Sequence, residues 1–132
     1  MASYITSNYA NTILGNMFSG AYIGLSTTEP TKAGANITEP ATANGYARVA
    51  ASQGGFIALS GTIRNANYVY FPEATASWGT VTHLIVSGSS SRSSGTDSSL
   101  RYVGELTASV AVGANTVPLF RPNALSVTIT DS

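Results

Sequence analysis

The spacing of apolar positions divides this chain in two. Over residues 1–19, Ile5, Tyr9, Ile13 and Met17 recur at steps of four with Leu14 beside them, one apolar stripe of the kind an amphipathic helix presents. Ser7 or Asn8 is placed to cap its start, and Gly15 or Gly20 to end it. Asn11, Thr12 and Gly15 are weak helix formers, so this short helix needs docking on a sheet or a neighbouring subunit to persist.

From residue 21 the period falls to two. Residues 22–26 and 80–86 alternate, the latter with apolar residues on both faces near its end. Residues 125–130 set Leu125, Val127 and Ile129 on one side and hydroxyl side chains on the other. Such alternation marks a strand with one face on a core and the other toward water or a partner. Further strands are expected at 46–51, 55–60, 67–71, 100–107 and 116–120, separated by turns rich in Gly, Pro, Asn and Ser. The pattern predicts an all-β fold, an antiparallel β-sandwich or jelly roll with a short N-terminal helix. Residues 1–20 are expected to pack as a helical segment on a single domain spanning 21–132.

Two segments interrupt the alternation. Residues 27–45 contain Thr-Glu-Pro at 28–30 and again at 38–40. Each proline withholds an amide, so this stretch is no central strand and reads as an arm or a surface loop. Residues 87–99 carry no apolar side chain. With nothing to bury, they are expected to form an exposed, flexible connection.

Composition narrows the functional classes. Charged residues make up 9% of the chain, six basic and six acidic, for a net charge of zero; soluble domains average about 25%. No basic block is present to neutralise phosphates, so nucleic acid is not an expected partner. No apolar run is long enough to span a bilayer, and the first residues lack a signal peptide's basic and apolar regions. These features predict a protein made in a cytoplasm, without a membrane role. A neutral, charge-poor surface tends to associate, and charge depletion is typical of interface centres.

The residues offer little chemistry. The chain has no cysteine and one histidine, His83, on the same strand face as Val81 and Ile85 without an obvious partner. One histidine with no thiolate does not make a zinc site, and no Gly-x-Ser-x-Gly elbow is present. His83 reads as a hydrogen-bonded core or interface residue. Glu29, Glu39, Glu73 and Asp97 sit in predicted loops where carboxylates serve solvation or turn chemistry, and nothing in the sequence brings two together. Neither a phosphate-binding glycine loop nor a dinucleotide fingerprint occurs. No catalytic, cofactor-binding or metal residue is predicted, and no cofactor. The aromatic residues between 68 and 78 are different: Tyr68, Tyr70 and Trp78 are candidate platforms for a sugar ring or a protein partner. Their simpler reading is packing in the core or between subunits.

Several motifs taken together resemble a known family. Residues 21–30 give a strand that runs into Thr28-Glu29-Pro30, followed by Gly45-Tyr46-Ala47-Arg48-Val49. Phe71-Pro72 then precedes Trp78-Gly79, and Gly104-Glu105-Leu106 precedes the alternating segment from 125 to 130. This order resembles the small bacteriophage proteins labelled tail fibre proteins. Members often have a shorter Asp/Gly turn where this chain has the serine-rich 87–99 loop. The resemblance implies a β-rich virion surface component, assembled in the host bacterial cytoplasm as a homo-oligomer, with a trimer favoured. Other virion proteins of tail or capsid are its implied partners, as a tail-fibre module or a capsid cement.

Arg48 is suited to a charge-assisted bond with a carboxylate or carbonyl across a subunit boundary, or to an exposed position on a strand. Candidate contacts with a neighbouring subunit or a host surface receptor are Arg48, Tyr68, Tyr70, Trp78 and, in the serine-rich loop, Arg92. The leading expectation is a non-enzymatic structural protein acting by self-association. A receptor- or glycan-binding module is the alternative, and a hydrolase is the remotest reading.

Overall fold

The computed structural model describes residues 5–128. The first four residues of the helical prediction, and Ile129 and Thr130 of the last predicted strand, lie outside the described residues. Among the described residues, one α-helix, α1 (Ser7–Phe18), precedes eleven strands, with short 3-10 turns at Thr42–Asn44 and Ala51–Gly54 between them. They are β1 (Tyr22–Ser26), β2 (Ile37–Thr38), β3 (Val49–Ala50), β4 (Phe56–Leu59), β5 (Thr62–Asn65) and β6 (Val69–Tyr70), then β7 (Gly79–Ser87), β8 (Ser94–Gly95), β9 (Leu100–Val112), β10 (Leu119–Phe120) and β11 (Ser126–Thr128). All described pairings are antiparallel, so the all-β expectation with a short N-terminal helix stands.

The helix is capped one residue earlier than expected. Thr6 is the N-cap, and its hydroxyl accepts from the Tyr9 amide at 3.4 Å. Gly15 lies within the helix; Ser19 ends it and Gly20 follows at φ +61°. Arg101, on β9, donates from Nη1 to the carbonyls of Met17 and Ser19 at 3.1 and 2.9 Å, supplying a cation where the helix has no basic residue of its own.

The helix is also rotated relative to the predicted stripe. Ala10, Leu14 and Phe18 are buried, whereas Ile5 and Tyr9 face outward. The inner face packs on β4 and β5, with Phe18 stacked on Phe56 at 4.3 Å between ring centroids. Small Ala10 lets the backbone approach the sheet, so the buried row passes one position beyond the larger residues.

The principal sheet runs β3-β1-β7-β9, and a second runs β11-β5-β4. Core side chains include Leu14, Ile23, Leu25, Tyr46, Ile63, Val69, Phe71, Trp78, Leu84 and Val86. Strand β5 was not expected. Its buried positions are Ile63 and Asn65, and the amide of Asn65 is satisfied by the carbonyls of Asn67 and Arg121, both at 2.9 Å. A buried asparagine hides a strand from an apolar pattern. The predicted 46–51 strand shrinks to Val49–Ala50 because Tyr46 and Arg48 turn away from the ladder toward a carboxylate.

β9 is longer than expected and irregular. Val81 of β7 pairs with Val110, and His83 with Glu105, so Thr82 alone stands opposite Leu106 to Ser109. This wide bulge lies on the outer strand of the principal sheet.

The two long loops are not independent excursions. β2 lies in the first and β8 in the second, and they pair as Ile37↔Gly95 and Thr38↔Ser94. Much of 87–99 is exposed, as expected, but it is not an untethered connection: backbone pairing and side-chain bonds tie it to the 27–45 segment.

Candidate functional site

Two features stand out, a buried charge cluster beneath the paired loops and an open apolar groove beside β9. The cluster begins with Gly24 in the middle of β1. A Cβ there would lie 2.6 Å from Glu39 Oε1 and 2.8 Å from the Tyr46 hydroxyl, so glycine makes the room that the carboxylate occupies. Tyr46 and Arg48, two residues apart, both reach Glu39. The tyrosine donates to Oε1 at 2.5 Å; Arg48 donates from Nε to Oε1 at 3.0 Å and from Nη2 to Oε2 at 2.8 Å. The Ser93 amide adds a bond to Oε2 at 2.6 Å.

Asp97 completes the cluster, its Oδ2 3.0 Å from Arg48 Nη2. Side-chain exposure is 0% for Arg48 and Glu39 and 8% for Asp97. Buried charges of this kind hold only when paired and hydrogen-bonded. Burial works against the Arg48 charge, but the bonds and charges of Glu39 and Asp97 outweigh it and leave its pKa above the ordinary value. Burial likewise opposes the Asp97 charge. Hydrogen bonds from the Ser87 hydroxyl and Ser99 amide, with the Arg48 charge, still hold its pKa below the ordinary one. Desolvation, then the charge of Glu39, pushes the Tyr46 hydroxyl far up and keeps it neutral as a donor.

This overturns the reading of Glu39 and Asp97 as solvated loop carboxylates. Arg48 does bond a carboxylate, but within its own chain, and it is not presented to a partner. Trp78 is internal too: its indole N–H donates to the Asn44 carbonyl at 2.8 Å, and its ring meets Tyr46 edge-on at 5.2 Å. Arg92 is half-buried and donates to the carbonyls of Pro40 and Glu39. Tyr68 and Tyr70 lie on the outside, and Tyr70 sits opposite half-exposed Leu119 across β6 and β10. Glu39, Asp97, Tyr46 and Ser93 were missed as members of one cluster. Gly24 inside a strand, and Tyr46 and Arg48 at the spacing that shares a face, were the signals available.

His83 tests the hydrolase reading. It lies in register between Ser26 on β1 and Glu105 on β9, a row with the residue types of a nucleophilic triad. Its Nδ1 is 2.8 Å from the Thr82 hydroxyl. The Ser26 hydroxyl is fully buried and donates to the Thr28 carbonyl at 2.7 Å, so it is not free to attack a substrate. Among the described residues, no His, Asp and Glu cluster is suited to a metal, and every buried side-chain nitrogen or oxygen has a hydrogen-bond partner.

The groove is built differently. It lies between β9 and β11, with a volume of about 330 Å³. Phe18, Phe56, Tyr102, Leu106, Phe120 and Val127 contribute to its walls, and the β9 bulge forms part of its rim. Leu106, Phe120, Leu125 and Val127 pack on the core from the outside and remain partly exposed. An apolar layer is therefore left uncovered along one side of the fold.

Among the described residues, no helix is long and apolar enough to cross a membrane. No curated protein matches the chain. A family model, that of the podophage GP4 fiber I protein gp80, matches residues 1–128. The charge cluster braces loops, and the groove offers apolar surface. With the match running over nearly the whole sequence, the chain belongs to the podophage GP4 fiber I protein gp80 family and is a bacteriophage virion structural protein of the tail-fibre type.

Proposed function

We propose that this chain is a non-enzymatic module of the virion surface that acts by associating with copies of itself, as a trimer. The open groove between β9 and β11 carries this reading. It places partly exposed Leu106, Phe120, Leu125 and Val127 beside the outer edge of β9, which has no strand partner among the described residues and where Val110 is also exposed. An edge strand next to uncovered apolar surface is a template for another chain. The small number of charges supports the same conclusion, since interface centres are depleted of them.

Sedimentation of the purified protein is expected to give a trimer, and Val110→Glu a folded monomer with unchanged circular dichroism. A parent protein that stays monomeric at high concentration refutes the proposal. Labelling intact particles with antibody distinguishes a tail position from a capsid-cement position.

Half-exposed Tyr68 and Tyr70, with Leu119 alongside, support a second reading as contact with a host receptor or glycan. On that reading Tyr68→Ala/Tyr70→Ala particles assemble but fail to adsorb to cells. Normal adsorption by those particles eliminates it.

A further inference from the structure

Residues 87–99 contain no apolar side chain, so the hydrophobic effect gives them no hold on the fold. Their attachments are polar, and most converge on Glu39 and Arg48. Ser93 donates its amide to Glu39 Oε2 at 2.6 Å, and Arg92 Nη2 donates to the Glu39 carbonyl at 2.7 Å. Arg48 Nη1 donates to the Ser89 carbonyl at 2.8 Å, while Nη2 pairs with Asp97. Around these contacts, the β2–β8 pairing and the Asp97 amide bond to the Gly34 carbonyl at 2.8 Å join the two loops to each other.

We propose that residues 31–40 and 88–99 form a clasp that opens as a unit while the β3-β1-β7-β9 sheet stays folded, with the Glu39–Arg48–Asp97 cluster as its catch. Apart from Ile37 and Pro40, which are buried, the clasp is held by polar contacts, and segments with few apolar contacts open at lower free energy than a core strand. The catch makes this opening conditional. While all three charges are paired, the closed clasp keeps each of them satisfied. Removing Arg48 leaves Glu39 and Asp97 as two buried carboxylates without a counter-charge, and parting the loops is the direct route by which water reaches them; neutralising Asp97 leaves the Glu39–Arg48 pair but loses the charged tie between Arg48 and the second loop. The opening does not unpack β1 against β7, because their ladder does not pass through the clasp.

The groups facing the catch are Glu39 from the first loop, Asp97 and Arg92 from the second, and Tyr46 and Arg48 from the segment leading into β3. Asp97 fixes the sign of the acid response. Its pKa is lowered in the folded protein, so its contribution is complete above the unfolded value of about 4 and is lost as pH falls through the folded value. The clasp therefore stays shut at neutral and mildly acid pH and loosens only as pH falls below the ordinary carboxylate range toward the lowered folded value of Asp97.

Hydrogen exchange followed by mass spectrometry tests this on the full chain. In Arg48→Met, the amides of Ser93 and Asp97 are expected to exchange at least about ten-fold faster than in the parent, with Ile23 and Leu84 to Val86 unchanged. Trypsin should cleave the variant after Arg92 under conditions that leave the parent intact. Asp97→Asn, which keeps the Glu39–Arg48 pair, provides the same readout if Arg48→Met does not fold. As the pH of the parent is lowered stepwise below about 4, its loop exchange, corrected for intrinsic exchange, should rise toward that of the variants. Unchanged loop exchange overturns the proposal, and so does loss of protection in β1 and β7 together with the loop.

Discussion

Shortening Leu14 to alanine probes how the helix sits on the sheet. The side chain is fully buried on the face of α1 that packs against β4 and β5. Deleting its branched end removes buried methyl groups and leaves a cavity; Leu→Ala changes of this kind cost about 2–5 kcal/mol. The upper half of that range is expected here. Phe18, one turn further on, is stacked on Phe56, which limits how far the helix can settle into the space. Against a total stability of about 5–15 kcal/mol, this is a large fraction. At roughly 4 °C per kcal/mol for a chain of this size, the midpoint should fall by about 14–20 °C.

The informative comparison is Tyr9→Ser. Tyr9 belongs to the stripe of larger apolar residues, yet it is 62% exposed. Its loss should stay within about 0.5 kcal/mol. Urea titrations of both variants, at a concentration where parent and variants share one oligomeric state, measure the difference directly. A Tyr9→Ser penalty equal to that of Leu14→Ala would mean that the helix buries the 5-9-13-17 stripe, and the packing described for α1 would be wrong.

Two other substitutions test the neighbourhood of the charge cluster. Gly24→Ala pushes a methyl group against Glu39 Oε1 and the Tyr46 hydroxyl and should cost about 1–3 kcal/mol by overpacking; thermal melts that match the parent would show that the carboxylate does not rest on β1. Trp78→Phe keeps an aromatic ring but loses the bond to the Asn44 carbonyl. The Asn44 carbonyl keeps its bond from the Thr75 amide at 2.9 Å, so chemical denaturation should register about 0.5–1.5 kcal/mol for the lost bond beside the cost of the smaller ring, and no change would show that this bond is not made in solution.

How far the fold was legible depended on what each element asked of its residues. β1 and β7 declared themselves because alternate residues, Ile23 and Leu25 in one and Leu84 and Val86 in the other, enter the core, a demand visible within one strand although the opposite faces are largely buried as well. β5 did not, because Asn65 takes a core position by bonding the nearby Asn67 carbonyl and the Arg121 carbonyl from far along the chain, so its suitability depends on residue 121 as well as on its neighbours. The charge cluster is the extreme case. Thr28-Glu29-Pro30 and Thr38-Glu39-Pro40 have the same local sequence, yet Glu29 is exposed and Glu39 is 1% exposed. Local propensity acts equally on both triplets and so cannot separate them. Only the second lies where Tyr46 and Arg48 approach it across the space left by Gly24, and where the Ser93 amide arrives from a loop more than fifty residues away. A carboxylate is buried when enough donors meet at one point to replace its water. The serine-rich loop supplies such a donor from its backbone, leaving no trace in the choice of side chain. The tail-fibre resemblance succeeded for the complementary reason: ordered motifs spread over the chain register the whole architecture, including contacts that no window of residues contains.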